Sequence, residues 1–328
     1  MRLISILAAV AVLGAAQAMS TPDTAGQQLT VVRNGFPHDA LFDIEIEGKT
    51  GLAVGSFGAL LSTADGGATW RSEDDLGEIA LTALALSAER SLVVGQRGAI
   101  FLGGESGGFT SVDSGTTERL LGVDLHQSGL AVAVGGFGTL LVSADSGQSW
   151  RQAVLDWPNL NEEGLEAHLY DVVINDDGEI FGVGEFGLVL RSRDRGQNWE
   201  ALTSGAASLF ALHMGGNGKA FAVGQNGTVL RSTDGGDSWV TLDAGPRANL
   251  LDVWASPDDE VVIVGMRALL RSSDGGESWT AAGGRGVERT WYQALATGIV
   301  TRTSDNVELH EERVYAAGQM GRIVTINN

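Results

Sequence analysis

The stretch RSTDGGDSW (residues 231–239) returns almost unchanged as RSSDGGESW (271–279). Looser copies are STADGGATW (62–70), VSADSGQSW (142–150) and RSRDRGQNW (191–199). A reacting centre needs its residues once, so five copies in phase mark a part used in every unit of an array. A second signature precedes each copy, a small apolar run ending in Val-Gly-x-x-Gly or a close relative. Its members are VGSFG (54–58), VGQRG (94–98), VGGFG (134–138), VGEFG (183–187), VGQNG (223–227), VGMRA (264–268) and AGQMG (317–321). The leading glycines, Gly55, Gly95, Gly135, Gly184, Gly224, Gly265 and Gly318, are spaced by 40, 40, 49, 40, 41 and 53 residues. Seven repeated units of this length point to an array closed on itself.

Each unit resolves into short strands. Residues 208–242 read as SLFALHM, a GGNG turn, KAFAVG, a QN turn, GTVLRS, a TDGGDS turn and WVTL. Strands of four to seven residues between glycine-rich turns, repeated at this period, describe a propeller blade. The expected fold is therefore all-β, a seven-bladed β-propeller with four-stranded antiparallel blades. The last unit stops after its third strand, GRIVTINN (321–328), while an orphan strand, QQLTVVRNG (27–35), precedes the first complete unit. Pairing the two supplies the missing outer strand of blade seven, and closing the ring removes its open edge.

The boxed stretch is expected at the turn between third and fourth strands. Asp234 can accept backbone N–H bonds there, Gly236 supplies a left-handed position, and Trp239 buries its ring between blades. The corresponding aspartates are Asp65, Asp145, Asp194 and Asp274, and the tryptophans are Trp70, Trp150, Trp199 and Trp279. Unit two is degenerate, with Glu105 in place of the aspartate.

The bulk numbers agree with many strands and tight turns: 47 glycines and 5 prolines in 328 residues. The formal charge of -20 argues against nucleic-acid partners. With no cysteine there is no disulfide framework and no thiolate nucleophile. The start, MRLISILAAVAVLGAAQAMS, has a basic Arg2, an apolar stretch too short for a span, and a small-x-small Ala16-Gln17-Ala18 site. Residues 1–18 are expected to be a signal peptide cleaved near Ala18. Residues 19–328 then form a single propeller domain in the periplasm or otherwise outside the cytoplasm.

The boxed turn resembles the Asp box, or BNR repeat, of sialidases and related propellers. Its combination with Val-Gly-x-x-Gly at a forty-residue period resembles the photosystem II stability/assembly factor family, over nearly all of residues 27–328. That resemblance implies a seven-bladed, non-enzymatic scaffold that docks on a membrane protein complex. For exported relatives it implies an RND-type exporter as one such complex. It also implies an arginine-rich surface patch, and Arg191, Arg231 and Arg271 recur just before three boxes.

Enzyme chemistry finds little support in the residues. GVGEFG (182–187) fits G-x-G-x-x-G, but a strand follows it where a dinucleotide site needs a helix. A sialidase-like glycoside hydrolase or a carbohydrate-binding propeller is the alternative function. The former needs an arginine triad and a Tyr/Glu pair, and the chain has three tyrosines, Tyr170, Tyr292 and Tyr315. Asp176-Asp177 and Asp258-Asp259-Glu260 fall in first-to-second strand turns, where such residues serve the backbone. The five histidines lack metal-ligand spacing. No catalytic residue, cofactor or metal is expected.

A partner surface is expected at the second-to-third strand turns, which carry Phe57, Arg97, Phe137, Phe186, Met266, Arg267 and Met320. Aromatic, Met and Arg side chains are the types enriched at protein interfaces. The residues also allow the opposite arrangement, with these side chains folded inward to plug the channel. Two insertions break the period. The first, 151–169, carries Trp157 and a stretch, NLNEEGLEAH, with the makings of a short helix; it belongs on the same face as the phenylalanines. The second, 301–313, lies between the first two strands of blade seven, on the opposite face. The free protein is expected to be a monomer whose partner is a membrane protein.

Overall fold

The computed structural model describes residues 29–104, 108–304 and 307–327. The expected signal peptide and Glu105 lie outside these residues. The chain forms seven four-stranded antiparallel sheets arranged as a β-propeller. Inner strands are Leu41–Glu47, Leu81–Leu86, Leu120–Leu125, Leu169–Ile174, Leu209–Met214, Leu250–Ala255 and Tyr292–Ser304. The ring closes as the repeat arithmetic required. Leu29–Arg33 pairs antiparallel with Arg322–Ile326, with Leu29 opposite Ile326 and Val31 opposite Val324, and becomes the outer strand of blade seven.

The core is divided among the seams between blades. One cluster holds Leu41, Ile44 and Leu61 of blade one with Tyr315, Ala317 and Ile323 of blade seven. Others join blades two and three, three and four, four and five, and five and six. Alternate residues of each strand point to opposite faces of its sheet, so a blade buries side chains in both adjoining seams.

The Val-Gly-x-x-Gly signature reports backbone crowding. A Cβ on Gly55 would stand 2.0 Å from the Ala40 carbonyl oxygen, and one on Gly224 2.0 Å from that of Ser208. The second strand turns back directly under the residue that enters the inner strand, and a hydrogen alone fits. Every inner strand also carries a bulge after its first residue, as between Leu41 and Asp43 or Leu169 and Asp171. The extra residues, such as Phe42, Tyr170 and Phe210, line the central channel.

The first insertion differs from expectation, and the second lies between the first two strands of blade seven as expected. In the first, the helix is the four residues Trp157–Leu160, and the chain after it is not helical. Asn161 ends it by bonding Leu165 through both its amide nitrogen and oxygen, and Gly164 turns the chain in a left-handed conformation. The second is no free loop. It lengthens the first hairpin of blade seven, whose strands run Tyr292–Ser304 and Val307–Gly318. The lengthened hairpin leans over blade one, where Gly298 and Gly66 meet backbone to backbone.

Candidate functional site

The five boxes fold alike, and their geometry explains their spelling. In the fourth unit's successor, blade five, the Ser232 hydroxyl donates to Asp234 Oδ1 (2.7 Å) and accepts the Gly236 N–H (2.9 Å). Asp234 Oδ1 also accepts the Ser238 N–H, and its Oδ2 accepts the Ser238 hydroxyl. Trp239 Nε1 donates to the Gly236 carbonyl. The same bonds to the carboxylate recur around Asp65, Asp145 and Asp274, and Asn198 replaces the hydroxyl at Asp194. Trp70 and Trp150 repeat the indole bond, whereas Nε1 of Trp199 and of Trp279 is buried without a hydrogen-bond partner. Hydrogen bonds from the Ser238 and Ser278 side chains, and from the Asn198 backbone, hold Asp234, Asp274 and Asp194 down at about 2. A carboxylate so fully engaged inside its own turn is suited to fixing the turn.

The boxed tryptophans each pack into the seam with the preceding blade. Trp70 joins the cluster between blades seven and one, Trp150 that between two and three, Trp199 three and four, Trp239 four and five, and Trp279 five and six. The seam between blades one and two has Phe101 and Phe109 against its cluster instead.

Arg191, Arg231 and Arg271 tie blades together on this box face. Arg191 bonds Glu200 of its own blade and Asp237 in the box of the next. Arg231 reaches the Gly275 carbonyl and Glu277 in the following box, and Arg271 reaches the Asn327 carbonyl of blade seven. These three are therefore inter-blade clamps; the recurring arginine does not make an open patch.

The central channel, about 310 Å³ in volume, contains a feature that sequence reasoning missed. An inner strand has a neighbour on one side only, leaving N–H groups on its channel edge to be satisfied. Side chains of the preceding blade supply acceptors. Asp43 Oδ2 accepts the Leu84 N–H (2.8 Å), Glu45 Oε2 that of Leu86, Asp124 Oδ2 that of Ile174, Asp171 Oδ2 that of Leu212, and Asp252 Oδ2 that of Leu295. Burial pushes Asp43 up to about 6 and Asp171 up to about 7, while Glu45 and Asp252 rise well above the usual range. Burial is the main cause at each; neighbouring carboxylates add to it at Glu45 and Asp252. The oxygens named here are directed at backbone N–H groups. Among the described residues no three His, Cys, Asp or Glu side chains are placed to hold a metal. The sequence signal was present: an acid two residues (Asp43, Asp171, Asp252) or four residues (Glu45, Asp124) after the first residue of an inner strand.

The opposite face, formed by the second-to-third strand turns, is different in kind. The fourth residue of every signature lies in the left-handed region: Phe57 (φ 56), Arg97 (60), Phe137 (50), Phe186 (57), Asn226 (57), Arg267 (58) and Met320 (63). Only asparagine among these tolerates that region well, so each other tip costs roughly 1–2 kcal/mol. Several of these turns bond the connection leaving their blade, as Gly58 O does with Leu76 N–H, Gly138 N–H with Ala167 O and Arg267 N–H with Thr290 O. Phe57 is 66% exposed, Phe137 62%, Met266 50% and Met320 36%. Phe36, beside the Met320 turn through Gly35, is 75% exposed. The channel-plugging alternative is thus excluded for these side chains. Phe186 is half-buried against the cluster between blades three and four.

Trp157 does not belong to this surface. Its ring lies on Gly138, where a Cβ would stand 2.7 Å from the indole, and only 8% of the residue is exposed. The insertion is on the phenylalanine face as expected, but it folds its tryptophan inward to cover the Phe137 turn. His168 at its end meets the Phe137 ring at 4.7 Å.

Arginines on the turn face lack carboxylate partners. Among the described residues, Arg97, Arg119, Arg247, Arg267, Arg285 and Arg289 are exposed and form no ion pair. On the box face, Arg191, Arg193, Lys219, Arg231 and Arg313 are paired with carboxylates, while Lys49, Arg151 and Arg195 form no ion pair among the described residues.

These features define the class: a closed seven-bladed propeller with one face cross-linked by inter-blade arginines and one face of exposed apolar tips with arginines that lack carboxylate partners. No family model matches the sequence, and no curated protein matches it. Solved propellers do. The chain superposes on "YCF48 bound to D1 peptide" with a TM-score of 0.68 at 16% identity, over 92% of this chain and 96% of that one. It superposes on YCF48 from Cyanidioschyzon merolae with a TM-score of 0.70 at 17% identity, over 92% and 98%. At such identities the likeness shows a shared fold.

Proposed function

We propose that the protein is a non-enzymatic docking module outside the cytoplasm, whose turn face holds a polypeptide segment of a membrane protein complex. One observation carries this reading. Large apolar and arginine side chains occupy strained left-handed tips, exposed on one face, in a chain whose acids outnumber its bases 41 to 21. Strain of this sort persists where the surroundings impose it, and it clusters at functional positions. A rigid ring that presents these side chains already in place spares a binder the cost of ordering them. Support comes from the resemblance to the photosystem II assembly family and from the shared fold with YCF48 bound to D1 peptide. An RND-type exporter is the complex suggested for exported relatives.

Photo-crosslinking in native membranes tests the proposal. A photoreactive residue at position 57, 137 or 320 should give one discrete adduct with a membrane protein, and the same residue at position 237 on the box face should not. Adducts formed only from position 237 would overturn the assignment of the face. Loss of the turn-face adduct on replacing Phe57 and Met320 by Asn, with unchanged melting, would tie it to the apolar tips.

A further inference from the structure

The charges of the turn face are sorted around the ring. Over blades three and four, the insertion and the following turn carry Asp156, Glu162, Glu163, Glu166 and Glu185, and residues 152–190 contain no Lys or Arg. Glu162, Glu163 and Glu166 are exposed and form no ion pair among the described residues. Over blades five to seven stand the unpaired Arg247, Arg267, Arg285 and Arg289, beside the exposed Met266 and Met320. In a closed ring of seven, the junction of blades three and four lies across the axis from blade seven. The side from the first connection to blade four, which also holds Arg97 and Arg119, is therefore predominantly acidic, and the side from blade five to blade seven, which also holds Asp243 and Glu288, carries an excess of arginine.

A surface with this layout is complementary to itself. A two-fold axis lying in the plane of the face, and perpendicular to the line from the insertion to blade seven, sets the acidic half of one copy on the basic half of another. Both contacts form at once, because an isologous interface repeats every pairing. The same rotation brings the acidic connection Asp74, Asp75 and Glu78 of one copy toward the Arg97 turn of the second. It also brings Phe137 toward Phe36, so apolar tips meet apolar tips. Turning one copy by half a revolution about the ring axis instead lays acid on acid and arginine on arginine. Like-charge contact of that kind costs several kcal/mol, so charge alone selects one register.

We propose that, without its partner, the protein pairs face to face with a second copy of itself, insertion against arginine half, covering the surface it uses for docking. This rests on the docking reading only in taking the turn face to be open. Self-pairing would keep exposed Phe and Met side chains out of water until a partner with a better fit displaces the second copy. Its strength should fall with salt, because the pairing charges are exposed and screened within about 8–10 Å.

Sedimentation velocity on the purified mature chain tests it, over a concentration series at about 50 mM and about 500 mM salt. A dimer at low salt that dissociates at high salt is expected. Glu162→Arg, Glu163→Arg and Glu166→Arg together should weaken it by at least about tenfold, as should Arg267→Glu, Arg285→Glu and Arg289→Glu. An equimolar mixture of the two triple variants should associate again, since each now complements the other. Unchanged melting of both variants checks that the fold survives. Wild-type protein that stays monomeric at every concentration would overturn the proposal. So would a dimer indifferent to both charge reversals, or a mixture that stays monomeric. Crosslinking from position 57 reports on docking separately. Monomeric protein that still crosslinks sinks self-pairing alone, and a dimer that never crosslinks to a membrane protein sinks docking alone.

Discussion

Asp171 of blade four accepts the backbone N–H of Leu212 in blade five at 2.8 Å, and that of its own neighbour Val172 at 2.8 Å. The bond satisfies an inner-strand edge that has no further strand to pair with. It also buries a charge, and the burial raises Asp171 to about 7 and Asp43 to about 6. Because these folded-state values lie above the usual carboxylate value, the stability they allow is complete below that value and is lost as pH rises through about 6 to 7. The boxed aspartates act in the opposite sense. Held at about 2, they contribute above the usual value and lose their contribution as pH falls toward 2. Maximum melting temperature is therefore expected near pH 4 to 5, with a decline toward pH 8. Asp171→Asn keeps one acceptor oxygen and removes the charge. Its melting temperature should change less between pH 5 and pH 8 than that of the wild type. An unchanged pH slope would mean that Asp171 carries no charge penalty.

The ring has a second clasp besides the pairing of its two chain ends. A Cβ on Gly298 would stand 2.3 Å from the Gly66 carbonyl oxygen. Gly298→Val should therefore lift the long hairpin of blade seven from the box of blade one. Hydrogen exchange would show faster exchange at residues 44–47 and 297–300. Protection in the closing strand Leu29–Arg33, which lies at the outer rim, should be retained. Uniform loss across the ring would show that the clasp is required for closure itself.

The boxes were legible because they are local. Ser232, Asp234, Gly236 and Trp239 bond one another within eight residues, and the same bonds in other units enforce the same letters. The closing strand was legible by counting strands per unit. The seam-crossing carboxylates were not. Asp43 and Leu84 lie 41 residues apart, and the acid's partner is a backbone N–H with no side-chain signature. Trp157 misled because an insertion rich in polar residues suggested a surface loop, whereas Gly138 leaves a place in which the indole rests. The three recurring arginines misled in the same way. Their partners, Asp237, Gly275 and Asn327, belong to the next blade, and a single unit does not reveal them.

If the boxes are equivalent parts, their removal should cost alike. Ser232→Ala strips the buried Gly236 N–H of its acceptor, and Ser272→Ala does the same to Gly276. Each should lower stability by about 1–3 kcal/mol, the cost of an unmet buried donor. The double variant should lose close to the sum, because the two hydroxyls share no partner. Denaturant unfolding of the three variants gives the comparison. A loss confined to one box would break the equivalence.

The left-handed tips allow docking to be separated from stability. Phe57 and Phe137 are exposed and sit at φ of 56 and 50. Their aromatic rings gain little from the fold, while their backbones bear the cost of that conformation. Asparagine tolerates the left-handed region better, and Asn226 already occupies the equivalent tip of blade five. Phe57→Asn with Phe137→Asn should therefore leave the melting temperature unchanged or raise it, by relieving roughly 1 kcal/mol at each tip. The same pair should remove the crosslink to a membrane protein. A core role predicts the reverse, because deleting buried aromatic rings costs about 3–5 kcal/mol. A lowered melting temperature would thus show that the tips support the ring, whereas unchanged melting with undiminished crosslinking would place the docking contacts elsewhere on the face.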